Sequence, residues 1–254
     1  MTGQPSFQLI RGSYILYINR SRLTERFRAM EIQKISLSQT QMRKVIRDRM
    51  TESCRIPQFD VRMDVNMEKV IEVRKRATFK PSITACLIWC CAKTLSVKQD
   101  MNAFFYGDEI GKPSEINIGV AMTIPGGIIV PVIKNADQKS LKELTNELAV
   151  LMEKAKGNRL SMKDIQEGTF TISNLGMYGI EGFTAMINPP QVAIMAVGGL
   201  RDGLKLVDGK IESYKYANIS VTADHRAIDG AIVADFLAAF KKCCEEEICK
   251  EVLK

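Results

Sequence analysis

The chain has 254 residues, of which 46% are hydrophobic and 26% are charged, a composition typical of a folded globular protein rather than a disordered one. Its longest apolar stretch, residues 83–92, is too short for a transmembrane helix, which needs about 20 apolar residues. The net charge of +7 is spread along the chain instead of forming one basic tract, so we predict neither a nucleic-acid nor a membrane partner.

The seven cysteines predict buried free thiols rather than a metal site or disulfides. Their number is odd, they include two adjacent pairs, and none has the Cys-x-x-Cys spacing of a zinc site. Free thiols are typical of a reducing compartment, and the residues after Met1 do not have the pattern expected of a secretory leader. We therefore predict no metal and a cytoplasmic location, with the mitochondrial matrix as the alternative.

Residues 1–32 differ from the rest of the chain and predict a loosely attached N-terminal extension. Five arginines in this segment are opposed by only two glutamates, and the apolar residues follow no clear period. An arginine-rich, acid-poor leader can also be an organelle address, which keeps the mitochondrial alternative open. We predict that one catalytic domain follows at residues 33–254.

From residue 33 onward the pattern predicts a helix and then a strand. Met42, Ile46 and Met50 recur every four residues along one face of the helix, which runs to about residue 52. Ser38 can cap its first turn. Residues 58–65 then alternate between apolar and polar side chains, the pattern of a half-buried strand.

The middle of the chain predicts a buried helix and a hairpin. Residues 82–97 are apolar on nearly all sides of the predicted helix, which places it in the centre of the fold. Two strand-like runs at 116–124 and 128–133 are joined by Pro125-Gly126-Gly127, whose residues favour a tight turn.

The last part of the chain alternates between helices and strands. In chain order we predict a helix at 141–156 capped by Ser140, a short helix from Ser161, strands at 169–173, 191–197 and 214–223, and a long helix at 230–248. The elements interleave without strict βαβ regularity. We therefore predict an α/β protein of the α+β type, with a mixed β-sheet covered by helices.

His225, the one histidine of the sequence, is a candidate general base. It lies where a predicted strand ends and a helix begins, a place where functional side chains are often found. Asp224, Arg226 and Asp229 flank it, and such charges can set the tautomer of an imidazole. A lone histidine is also commonly structural, so both interpretations stay open on these residues alone.

The segment 170–179 is a second candidate, because a strand there ends in a hydroxyl, an amide and glycines. The Ser173 hydroxyl at such a strand end can donate a hydrogen bond to a developing oxyanion, and glycines permit the close approach of a ligand. A plain turn explains the same residues, and the segment by itself favours the turn.

Together, these segments resemble a known family. Residues 224–230, Asp-His-Arg-Ala-Ile-Asp-Gly, resemble the DHRxxDG signature of the acyltransferase components of 2-oxo acid dehydrogenase complexes. The segments 38–50, 117–141 and 168–198 are also similar to that catalytic domain and occur in the same order. The resemblance covers about residues 33–254, and chloramphenicol acetyltransferase is similar in fold and in its His-x-x-x-Asp-Gly.

The resemblance implies a role for each candidate residue. His225 would take the proton from an attacking thiol, and the Ser173 hydroxyl would stabilise the tetrahedral intermediate. Asp229 would hold the site through an ion pair with Arg43. Asn174 and Asp224 are predicted as supporting residues. In this family the site forms between neighbouring subunits of a trimer, so His225 and Ser173 would come from different chains.

The resemblance also implies an activity with its substrates and partners. The chain would move an acyl group between coenzyme A and dihydrolipoamide. The sequence looks most like members that transfer an acetyl group. Residues 1–254 are expected to contain only the catalytic domain and no lipoyl or subunit-binding domain, so we expect the lipoyl group to be carried by another chain. The expected partners are other copies in a homotrimer or larger assembly, a lipoyl-bearing protein and the dehydrogenase components.

Two other functions remain open on the sequence. One is a stand-alone acyltransferase that uses coenzyme A and a small-molecule acceptor. The other is a non-catalytic oligomeric core protein, for which altered site residues would be expected.

Overall fold

The computed structural model describes residues 41–125 and 127–252, and the extension at residues 1–32, Ser38 and the predicted domain boundary lie outside this range. The helices are α1 (Gln41–Ser53), α2 (Glu68–Arg76), α3 (Ile83–Val97), α4 (Leu141–Lys156), α5 (Met162–Ile165), α6 (Gly230–Lys242) and α7 (Ile248–Val252). The strands are β1 (Gln58–Asn66), β2 (Phe104–Tyr106), β3 (Glu109–Gly111), β4 (Ile118–Ile124), β5 (Gly127–Ile129), β6 (Val132–Ile133), β7 (Phe170–Asn174), β8 (Ala193–Val197), β9 (Arg201–Val207) and β10 (Lys210–Asp224).

Eight strands form one mixed sheet in the order β1-β10-β8-β7-β4-β5, with β6 beside β4 and β9 beside β10. The pairs β4–β7 and β7–β8 are parallel, whereas β10 is antiparallel to β1, β8 and β9. Strands β2 and β3 form a separate hairpin. The predicted mixed sheet covered by helices is confirmed.

The two faces of the sheet are covered differently. The main core packs α3 and α6 against one face, and the side chains of α3 are buried all round over residues 85–92, as predicted. Ser82 caps α3 by accepting a hydrogen bond from the Ala85 amide at 3.0 Å. The other face carries a smaller apolar cluster, in which Ile187 packs with Ile194. We call these the helix face and the opposite face.

Several boundaries match the sequence, and others depend on pairing between distant segments. The hairpin β4–β5 forms as predicted, but Pro131 separates β5 from β6. Ser140 caps α4 with a full capping box. Strand β10 begins at residue 210 rather than 214 because it pairs with β9, which the pattern did not reveal. The helix expected at 230–248 contains a π-helical turn at Cys243–Glu247.

All seven cysteines are free thiols, and five of them are buried where α3 meets the C-terminal helices. Burial raises the pKa of the Cys86 thiol to about 12. The prediction of buried thiols is wrong for Cys54, which is exposed at the end of α1, and Cys249 is only partly buried.

Candidate active site

His225 lies on the turn between β10 and α6, with its side chain 55% exposed. Its backbone amide donates a hydrogen bond to the Pro57 carbonyl at 2.9 Å, which ties the turn to the start of β1. Its ring packs against Phe59, with 4.4 Å between the ring centroids. The imidazole is therefore held on one side by the sheet and open to solvent on the other.

Asp229 begins the next helix and lies close to the imidazole. One of its carboxylate oxygens is 3.8 Å from Nδ1 of His225, which is beyond hydrogen-bond distance but within reach of electrostatic attraction. The Asp229 side chain is 81% exposed, so water screens this attraction.

Asp224 and Arg226 form a clamp on both sides of His225. The Asp224 side chain is 1% exposed and accepts hydrogen bonds from Nε (2.9 Å) and a terminal nitrogen (2.7 Å) of Arg226. The Arg226 backbone amide donates to the same carboxylate at 3.0 Å. These bonds raise the pKa of the Arg226 guanidinium, which also lies 4.2 Å from the Phe105 ring centroid.

This clamp fixes the backbone on either side of the imidazole. A bidentate arginine–carboxylate pair is stronger and more directional than a single hydrogen bond. Asp224 was predicted as a supporting residue, and the structure places it under the turn. The sequence shows Arg226 only as a charge beside His225 and does not identify its partner, because several carboxylates are nearby.

Ser173 and Asn174 end β7 at the opposite end of the sheet from His225. Ser173 is half-buried. The Asn174 amide nitrogen donates to the Thr84 hydroxyl at 3.0 Å, and its oxygen accepts from the Gly176 amide at 2.8 Å. Asn174 thus links the strand end to α3, which supports the neighbouring serine.

The glycine-containing segment after Ser173 folds as a turn against the chain's own backbone. A Cβ at Gly176 would lie 2.8 Å from the Gly198 carbonyl oxygen, and one at Gly198 would lie 2.1 Å from the Glu181 carbonyl oxygen. No side chain fits at such distances. The turn interpretation of these glycines is confirmed, since it is backbone that approaches them.

Within one chain, Ser173 and His225 are far apart. The register pairs Ser173 with Ala196 on β8 and Ala196 with Ser220 on β10. Ser173 is therefore level with Ser220, which lies two strands away on β10 and five positions before His225. With a rise of about 3.3 Å per residue and about 4.8 Å between strands, the two Cα atoms are roughly 19 Å apart.

The two side chains also point to different faces of the sheet. Ile172 and Ala223 both contribute to the core on the helix face. Ser173 follows Ile172 and points to the opposite face, because side chains alternate along a strand. His225 lies two residues beyond Ala223, and its ring contacts Phe59, which packs against the helix-face core. One chain alone does not bring this hydroxyl and this imidazole to one reacting atom.

Residues 31–249 match the family model described as 2-oxoacid dehydrogenases acyltransferase (catalytic domain). The chain belongs to this family. The match includes Ser173, the 224–226 clamp, His225 and Asp229, and it covers most of the chain.

The two curated relatives described here carry the same name. The dihydrolipoyllysine-residue acetyltransferase component of pyruvate dehydrogenase complex from Rickettsia conorii is 37% identical, over 82% of this chain and 52% of the relative. The protein of the same name from Zymomonas mobilis is 37% identical, over 84% of this chain and 50% of the relative. The chain spans about half the length of the curated relatives it matches.

Solved structures of family members have the same fold. A probable dihydrolipoamide acetyltransferase from Listeria monocytogenes has a TM-score of 0.81 at 31% identity, covering 87% of this chain and 97% of that one. Dihydrolipoamide acetyltransferase from Azotobacter vinelandii has a TM-score of 0.80 at 28% identity, covering 89% and 96%. A chloramphenicol acetyltransferase reaches 0.51 at 12% identity, covering 81% of this chain and 94% of that one. This last likeness concerns the fold alone, and it confirms the predicted fold type.

The remaining predicted site residue, Arg43, is exposed on α1. Its ion pair with Asp229 stays a prediction. Because both side chains are exposed in the single chain, the pair would be buried only if another subunit covered it.

Two features are missing from the described part of the chain. Residues 41–125 and 127–252 contain no group of three or more histidine, cysteine, aspartate or glutamate side chains placed to hold a metal ion. Within the same ranges, no helix has the length and apolar character needed to cross a membrane.

Proposed function

We propose that this chain is the catalytic part of an acyltransferase that moves an acetyl group between coenzyme A and a dihydrolipoyl thiol. The observation that supports this most strongly is the half-exposed imidazole of His225, clamped within a turn that has the family signature. The acetyl group is proposed because the relatives described above are named acetyltransferases.

His225 supplies the general base in this proposal. A thiol with a pKa of about 8.5 is only about 3% ionised at neutral pH, so a base next to it increases the reactive thiolate. Nδ1 of His225 faces the Asp229 carboxylate, which favours the proton on that nitrogen. The other ring nitrogen is then unprotonated and can accept the thiol proton.

Ser173 of a neighbouring chain supplies the hydrogen bond to the oxyanion. The Azotobacter vinelandii structure comes from an investigation of the role of three residues in that enzyme's catalytic mechanism. They are a serine, a histidine 52 positions later and an asparagine four positions after the histidine. Ser173, His225 and Asp229 have the same spacing in this chain. The departure is aspartate in place of asparagine, which adds a negative charge beside the imidazole.

A ring of chains satisfies the geometry. Ser173 and His225 lie at opposite ends of the sheet, so a head-to-tail contact brings the serine end of one copy to the histidine end of the next. We propose the predicted homotrimer, which can assemble further. A lipoyl-bearing protein and dehydrogenase components are the proposed partners, and the compartment stays a prediction.

An assay with acetyl-CoA and dihydrolipoamide tests this function. We expect transfer to the thiol, and we expect His225→Ala and Ser173→Ala each to lower kcat at least about 100-fold without changing the size of the assembly. Acetylation of a small hydroxyl or amine acceptor alone would support a stand-alone enzyme. No turnover with either acceptor class would support a non-catalytic core.

A further inference from the structure

The position of the Ser173 hydroxyl depends on the backbone that carries it. This hydroxyl makes no hydrogen bond with another residue in the ranges 41–125 and 127–252. It is therefore free to donate to an oxyanion, but no side-chain partner holds it in place. The end of β7 must itself be held if the hydroxyl is to meet a reacting atom precisely.

The sheet holds Ser173 on two sides and the next residue on one side only. Strand β7 pairs with β4 as far as Ser173, which lies opposite Ala121. It pairs with β8 one residue further, where Asn174 lies opposite Val197. A strand end with a single neighbour opens more easily than one with two, so the strand needs another contact just after the serine.

The side chain of Asn174 supplies this contact. Its Nδ2 donates to the Thr84 hydroxyl at 3.0 Å, and its Oδ1 accepts from the Gly176 backbone amide at 2.8 Å. A backbone amide can only donate, which directs Oδ1 toward Gly176 and Nδ2 toward Thr84. The Thr84 hydroxyl is thus the acceptor that ties the end of β7 to another element.

That element is α3, the most deeply buried helix of the fold. Thr84 lies in its first turn, which Ser82 caps through the Ala85 amide. The residues that follow, 85–92, are buried in the helix-face core. Thr84 precedes Asn174 by 90 positions in the chain, so the sequence pattern does not connect the two. The tether therefore ends on a fixed part of the core.

We propose that Thr84 is a positioning residue for the oxyanion hydroxyl, because it holds Asn174 and Asn174 holds the end of β7 at Ser173. Thr84 acts through the serine and does not touch the reacting atoms. A displacement of about 1 Å at a reacting group can lower the rate by as much as about 100-fold. This inference rests on the proposed function, in which Ser173 donates to the oxyanion.

Thr84→Val tests the tether, since valine has nearly the shape of threonine but cannot accept a hydrogen bond. We expect kcat for transfer from acetyl-CoA to dihydrolipoamide to fall about tenfold, with both KM values unchanged, because the oxyanion forms only in the transition state. Thr84→Ser keeps the hydroxyl and should retain the wild-type kcat. An unchanged kcat in Thr84→Val would overturn the inference.

Thr94→Val is the matched control. Thr94 lies on the same helix, and its hydroxyl donates to the Cys90 carbonyl at 2.7 Å, so this change also removes one side-chain hydrogen bond of α3. It should lower the denaturant midpoint without changing kcat. If Thr94→Val and Thr84→Val lower kcat by the same factor, Thr84 acts only through the stability of the helix, and the inference is overturned.

The double variant Thr84→Val/Ser173→Ala shows whether Thr84 acts through the serine. Once the hydroxyl is gone its position no longer matters, so the double variant should be no slower than Ser173→Ala alone. If the two rate losses multiply instead, the inference is overturned while the role of the serine stands. A wild-type kcat in Ser173→Ala would overturn the proposed role of the serine, and this inference with it.

Discussion

A mixture of two inactive variants tests whether each active site takes side chains from two chains. The His225→Ala chain keeps the serine, and the Ser173→Ala chain keeps the histidine. Each variant alone should lose at least about 100-fold in kcat, because general bases and oxyanion donors each contribute rate factors of that size or more.

The structure determines how much activity an equal mixture of the two variants should recover. Within one chain the two residues are roughly 19 Å apart by strand geometry and point to different faces, so a variant chain cannot repair its own site. In a cyclic assembly, half of the sites receive an intact His225, and half of those face an intact Ser173 of the next chain. An equal mixture should therefore regain about one quarter of the wild-type activity.

The assay uses the two variants co-expressed in equal amounts, with the ratio of chains checked by mass spectrometry. Thiol transfer from acetyl-CoA to dihydrolipoamide is then measured on assemblies of wild-type size. The same two variants, purified separately and combined without exchange, are the control and should stay inactive.

The reasoning is refuted if mixed assemblies form but are no more active than either variant alone. Such a result would mean that the histidine and the serine act in the same chain, or that one of them takes no part in the reaction. Recovery far above one quarter would also contradict it, since random pairing of the two variants leaves about three quarters of the sites without at least one of the two residues.

Three further predictions concern the clamp, a helix cap and the buried thiols. Arg226→Lys keeps the charge but loses the paired hydrogen bonds to Asp224, so kcat should fall about tenfold and the free energy of unfolding by about 1–2 kcal/mol, as measured by steady-state kinetics and denaturant titration. Ser140→Ala removes the capping box of α4 and should lower the free energy of unfolding by about 1 kcal/mol in the same titration, with kcat unchanged. In the native protein a thiol reagent should modify Cys54 quickly and Cys86 only after unfolding, because burial raises the pKa of Cys86 to about 12. The unfolded chain ionises the Cys86 thiol at a lower pH than the folded chain does. The free energy of unfolding should therefore fall as the pH rises above the ordinary thiol pKa, which denaturant midpoints measured at neutral and alkaline pH would show.

Local signals account for the elements that were predicted correctly. Helix α4 begins at its Ser140 cap and ends at Lys156 as expected, because a cap and a helical period involve only neighbouring residues. Pro125 and its following glycines likewise indicated the β4–β5 turn. Strand β9 was missed because Leu204 and Leu206 are exposed and only its pairing with β10 defines it.

The sequence by itself determined which chemical groups are available and at which strand ends they lie. It indicated a histidine after β10, a serine near the end of β7 and the carboxylates around the histidine. The tertiary structure decided that Arg226 is the partner of Asp224, because β10 buries that carboxylate and leaves this guanidinium within reach. It also decided that His225 and Ser173 lie at opposite ends and on different faces of the sheet, because register and strand order depend on contacts between segments distant in the chain.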